Sequence, residues 1–161
     1  MKRIPNDLFF SWVESEIAHG RSVRFRVKGN SMFPLLRSGK DDVVLFPCSE
    51  EELCPMDVVL FRYKGKHVLH RILHRNGNHL LIRGDGSFIA KEECTTKDVI
   101  GKVDIIIRPS GKTLSVNDHE WRLYSLQANL ILIWNLSLKN WSNGNVRNPL
   151  LRLKSRLVNL P

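Results

Sequence analysis

The sequence predicts a mainly β chain: an antiparallel β domain with a short helix before it and a helical tail after it. Three observations carry this reading. Between Ser22 and Ile107 the apolar residues recur with period two or in short unbroken runs, while Gly, Pro, Asn and Asp punctuate them. Helical periodicity occurs only outside that stretch. At 161 residues the chain is long enough to bury one domain core and carry an appendage. The expected organisation is a helix within 1–20, a β domain over 21–112 and a basic helical extension over 113–161.

Leu8, Phe9, Trp12, Val13 and Ile17 fall at helical spacing, so a helix is expected over 7–19, capped by Asn6 or Asp7 and ended by Gly20. Val23, Phe25 and Val27 then alternate with Arg24, Arg26 and Lys28, as in a strand with one wet face. Further strands are expected at 43–46, 58–63, 66–75, 78–83 and 100–107. Asn76-Gly77 between two alternating runs is a strong cue for a two-residue hairpin loop. With those two residues as the loop, His74 pairs with His79, His70 with Arg83 and Val68 with Asp85. After Glu120, Leu123, Leu126, Leu130, Ile133 and Trp134 return to helical spacing. Ser142-Asn143-Gly144-Asn145 interrupts them, and leucines set among Arg and Lys follow.

Six of the nine net positive charges belong to this tail, where Arg122, Lys139, Arg147, Arg152, Lys154 and Arg156 follow the last acidic residue, Glu120. Such a tail is either a solvated face or a contact for an anionic membrane surface. The best membrane-spanning candidate has an unbroken apolar run of only 130–134, whereas crossing a bilayer takes about 20 residues. Cys48, Cys54 and Cys94 are odd in number and lack Cys-x-x-Cys spacing, so no disulfide framework or cysteine zinc site is indicated. Asn6, Asp7, Glu14 and Glu16 interrupt any secretory signal. A cytoplasmic chain is expected, able to associate peripherally with membrane. About twenty residues before the β domain cannot hold a helix-turn-helix module, so sequence-specific nucleic-acid binding is not expected.

The candidate chemistry lies in two runs, Val27-Lys28-Gly29-Asn30-Ser31-Met32-Phe33-Pro34 and Val68-Leu69-His70-Arg71-Ile72. A serine hydroxyl becomes a useful nucleophile when a neighbouring base takes its proton, and an imidazole does this near neutral pH. Ser31 is the candidate nucleophile and His70 the candidate base; Arg71 stays protonated and cannot serve. On the expected hairpin register Asp85 is a diagonal neighbour of His70, placed to accept its second ring proton and fix its tautomer. The same register suggests a rival, with His70, His74 and His79 converging on a metal.

Ser31-Met32-Phe33-Pro34, Met56-Asp57-Val58-Val59-Leu60-Phe61, His70-Arg71-Ile72 and Gly84-Asp85 occur in the order found in type I signal peptidases and their SOS-repressor-type relatives. Over roughly 22–108 the chain resembles that superfamily, and with histidine at position 70 it is similar to the branch that uses histidine rather than lysine. The resemblance implies a serine endopeptidase with no cofactor and no metal, acting on a peptide or protein substrate or leader. It places the acidic member several residues after Gly84-Asp85, where Lys91, Glu92 and Glu93 stand, so Asp85, Glu92, Glu93 or a plain dyad remain alternatives. It also implies small side chains at the cleavage point. Gly29, Met32 and Pro34 are expected to shape the substrate site, with Val58 and Leu60 on a strand that receives an extended peptide by strand addition. Two other readings are a non-catalytic peptide-binding module of the same fold and a peripheral membrane processing peptidase.

Overall fold

The β-branched and aromatic run Val58-Val59-Leu60-Phe61 has no polar alternation, and its environment explains why. In the computed structural model, which describes residues 5–87, 90–127 and 130, this run lies at the centre of an eight-stranded sheet and is buried on both faces. Val58 and Leu60 join one core with Val13, Ile17, Leu35 and Trp121. Val59 and Phe61 join a second with Leu53, Ile72, Leu80 and Ile82. Side chains that alternate across a strand and meet apolar partners on both sides need an unbroken hydrophobic run.

The elements are α1 (Asn6–Ala18), β1 (Val23–Arg26), β2 (Asp42–Phe46), β3 (Val58–Tyr63), β4 (Lys66–Asn76), β5 (His79–Arg83), β6 (Glu92–Thr95), β7 (Val99–Ile107) and β8 (Thr113–Ser115). A single 3-10 turn at Thr96–Asp98 joins β6 to β7. The strands run antiparallel in the order β1-β2-β7-β3-β4-β5-β6, and β8 pairs with β7. The mainly β fold with a preceding helix is therefore as expected, and a helix begins at 119.

Several local expectations need correction. Pro5 occupies the N-cap of α1 and no side chain caps it, so neither Asn6 nor Asp7 has that role. Gly20 does follow the helix end, at φ 76°, where a residue without Cβ is favoured. Strands β6 and β8 lack the apolar alternation that marked the others, being held by pairing to β5 and β7. Because β8 belongs to the sheet, the β domain extends to Ser115 rather than stopping at 112. In the first turns of the tail helix Trp121 and Ser125 are buried while Leu123 is exposed, so the apolar face assigned through Leu123 is rotated. Ile133, Trp134 and the basic stretch beyond lie outside the described residues. Among the described residues no helix is long and apolar enough to cross a membrane.

The β4–β5 hairpin carries the most consequential correction. Asn76 pairs with His79, so the loop residues are Gly77 and Asn78, one position later than expected. A bulge between Ile72 and His74 then shifts the ladder again, and Arg71, rather than His70, faces Arg83. A one-residue slip exchanges which residues are neighbours on each face.

Candidate active site

Residues 30–36 form the turn that follows β1, and its apolar members fix it. Met32, Leu35 and Leu36 are at most 3 % exposed within the first core, whereas Ser31 stays at the surface. The turn is closed by Phe33 N–H donating to the Asn30 carbonyl and Leu36 N–H donating to the Met32 carbonyl. Buried Asp41 bonds to Arg37 and Arg108, and Arg108 also donates to the Leu35 carbonyl. Burial alone favours the neutral acid of Asp41, but the bonds from Arg37 and the charge of Arg108 outweigh it and hold the carboxyl below its usual range.

Against this turn lies the segment Gly84-Asp85-Gly86. The Gly86 N–H donates to the Ser31 carbonyl at 2.8 Å. A Cβ on Gly86 would come 2.7 Å from the Asn30 carbonyl oxygen, and one on Gly84 would fall on the Ser31 carbonyl oxygen. Glycine is required at both positions because two backbones approach each other there. The same point on Gly84 is 3.0 Å from His70 Nε2 and 3.0 Å from Ser31 Cβ. Ring nitrogen and serine Cβ are therefore no more than about 6 Å apart. The hydroxyl and imidazole are not hydrogen-bonded, but rotation about the serine Cα–Cβ bond moves Oγ within the space left by Gly84.

The other side of His70 is also occupied. Its Nδ1 lies 3.1 Å from Glu92 Oε2, with the side chains 9 % and 14 % exposed. The sheet explains the pairing: Ile72 faces Ile82, Ile82 faces Glu92, and His70 is two residues before Ile72, so His70 and Glu92 project from one face. Gly84 is two residues after Ile82 on that face and puts no side chain between His70 and Ser31. A proton on Nδ1 bonded to Glu92 leaves the Nε2 lone pair directed toward the serine.

Asp85 does not orient His70. Both its oxygens accept from Arg71, Nε at 2.8 Å and Nη2 at 2.7 Å, in a pair whose side chains are 0 % and 2 % exposed. Arg71 further donates to the Met56 carbonyl and Ser125 Oγ. The hairpin slip is the physical reason: with Arg71 opposite Arg83, the diagonal neighbour of Asp85 is Arg71 instead of His70. Of the acidic alternatives it is Glu92 that meets the imidazole. The metal rival loses its geometry in the same shift, since His74 faces Leu81 and both His74 and His79 are exposed. Among the described residues no group of three or more His, Cys, Asp or Glu could hold a metal ion.

A groove leads to Ser31. A cavity of about 150 Å³ there is lined by Gly29, Ser31 and Met32 with Leu36, Val68 and Leu69. Pro34 does not line it. Val58 and Leu60 cannot offer a free edge, because β3 is paired on one side with β4 and on the other with β7. The free edges belong to other strands: among the described strands, the outer edge of β1 is unpaired, as is the 66–70 stretch of β4 on the side away from β3. Paired glycines two positions apart at 84 and 86 were the sequence signal for the close approach, and the edge of β4 follows only from the hairpin register.

Comparison of the chain with protein-family models finds no match, and comparison with curated proteins finds none either.

Proposed function

We propose that this chain is a serine endopeptidase that uses Ser31 as nucleophile, His70 as base and Glu92 to orient the imidazole. The observation that carries the reading is the convergence of Ser31 Cβ and His70 Nε2 on the side-chain-free position of Gly84, with Nδ1 held by Glu92. Ser31 Oγ attacks a peptide carbonyl while its proton passes to His70 Nε2. The tetrahedral intermediate collapses with cleavage of the C–N bond, and the same proton goes to the leaving amine. Water, deprotonated by His70, then hydrolyses the acyl-serine ester and regenerates the hydroxyl. Glu92 stabilises the imidazolium in both steps.

The N–H groups of Ser31 and Met32 donate to no protein acceptor among the described residues, which leaves them to bind the carbonyl oxygen as it becomes negative. An extended peptide between the free edges of β1 and of β4 at 66–70 presents its carbonyl to Ser31 by strand addition. Resemblance to the signal peptidase superfamily supports the same chemistry through the Ser31-Met32, His70-Arg71 and Gly84-Asp85 runs. A cytoplasmic location, with contact to an anionic membrane through the basic tail, is part of the proposal.

Mass spectrometry of a peptide library incubated with wild type and with Ser31→Ala tests the reading. New termini produced by wild type and lost in Ser31→Ala are expected. Folded wild type that yields no Ser31-dependent products would overturn it.

A further inference from the structure

The groove widens away from Ser31 into a second cavity of about 540 Å³, within the range that holds sizeable ligand groups. Its floor is aromatic. Phe9 and Phe10 of α1 meet Phe25 of β1 edge to face, with ring centroids 5.9 and 6.3 Å apart. Arg24, Arg26 and Lys28 line the same cavity, and among the described residues no carboxylate does. Arg24 and Arg26 share the one carboxylate of Asp42, while exposed Lys28 has no ion pair among the described residues, so the wall is net positive.

The spacing of residues along β4 suggests where this cavity falls on a substrate. Val27, Lys28, His67 and Leu69 line both cavities, whereas Phe9, Phe10 and Phe25 line only the distal one; His67, at the junction, is three residues before His70 on β4, about 10 Å at the rise of a strand. At about 150 Å³ the cavity at Ser31 is much the smaller of the two, so the distal one offers more room for a bulky side chain. Neighbouring residues of an extended peptide point to opposite sides, as Phe25 and Val27 do against Arg24, Arg26 and Lys28.

We infer that α1 and β1 build a distal subsite for a bulky apolar residue with an acidic neighbour, three to four residues from the scissile bond of an extended peptide. The inference deepens the peptidase reading and rests on it. The apolar side chain covers the phenylalanine floor, and the adjacent carboxylate meets Lys28 at the basic wall.

The test uses fluorescein-labelled alanine-based decamers carrying a Glu-Phe pair three and four residues from a central Ala-Ala bond, on either side. Controls replace the pair by Lys-Phe, Glu-Ala or Ala-Ala. Binding is read by fluorescence polarisation on full-length Ser31→Ala, and cleavage by mass spectrometry on wild type. Glu-Phe peptides on one side of the bond should bind on the order of tenfold more tightly than each control, and Lys28→Glu should reverse the preference toward Lys-Phe. Binding indifferent to the pair, or unchanged by Lys28→Glu, overturns the subsite. Cleavage without preference for the pair also rejects it and leaves the peptidase reading standing. Selective binding that Lys28→Glu reverses, with no cleavage by wild type, supports the subsite and rejects the peptidase reading.

Discussion

His70 Nε2 lies 3.0 Å from the point where a side chain on Gly84 would begin, so the space between the imidazole and Ser31 exists because residue 84 has none. A methyl group there would also press on the Ser31 carbonyl oxygen at less than any real Cβ contact, and backbone cannot swing aside as a flexible side chain does. Gly84→Ala should therefore displace the turn that carries Ser31. A misplacement of about 1 Å costs on the order of 10²-fold in rate, and overpacking costs about 1–3 kcal/mol in stability. The check is kcat/KM beside a thermal melt; wild-type turnover in Gly84→Ala would mean that the approach is not needed.

Glu92 and Asp85 should separate cleanly in their effects. Glu92 contacts only the imidazole among the hydrogen bonds described, so Glu92→Gln should lower kcat by on the order of 10² or more while moving the melting temperature little. Asp85 neutralises a guanidinium that is fully buried, and Asp85→Asn leaves that charge poorly compensated at a cost of about 3 kcal/mol or more. Kinetics and melts on the two variants decide it. Equal loss of kcat with unchanged stability in Asp85→Asn would restore Asp85 as the orienting acid.

That exchange of roles marks the limit of what the sequence revealed. The apolar run of β3 and the alternation in β1 identified their strands because burial on two faces, or on one, imposes a pattern on a single segment. The Ser31 and His70 runs were recognisable for the same local reason, each a short segment with its own composition. Which carboxylate reaches His70 depends on the pairing of two segments. A loop placed one residue later and a bulge between Ile72 and His74 move Asp85 from one neighbour to the next, without changing any residue that could announce it. Strand β6, which carries Glu92, is an edge strand defined by its partner and has no apolar alternation of its own.

Two residues of the turn that carries Ser31 should respond very unequally to truncation. Leu35 is 0 % exposed in the first core, and Leu35→Ala is expected to cost about 2–5 kcal/mol by leaving a cavity under the turn. Phe33 is 56 % exposed, and Phe33→Ala should change stability by no more than about 0.5 kcal/mol. Urea unfolding of both variants measures the difference. Comparable losses would show that the turn is not anchored through Leu35.

Acid should weaken the tie that holds α1 to the sheet. The Glu14 carboxylate of α1 accepts two hydrogen bonds from Arg62 of β3 and faces His67 of β4 at 2.7 Å. The Arg62 bonds, aided by His67, hold the Glu14 carboxyl at about 2, below its ordinary value of 4.5. A carboxyl depressed in the folded state binds protons more readily once unfolded, so its contribution is complete above about pH 4.5 and disappears as pH falls toward about 2. Phe10 stacks on His67 at 4.6 Å, which couples this tie to the floor of the distal cavity. Thermal melts of wild type and Glu14→Gln at steps from about pH 6 to about pH 2 should converge as the pH drops, the wild type being the more stable only at the upper end. A stability gap that stays constant over the whole range would remove Glu14 as the source of acid sensitivity.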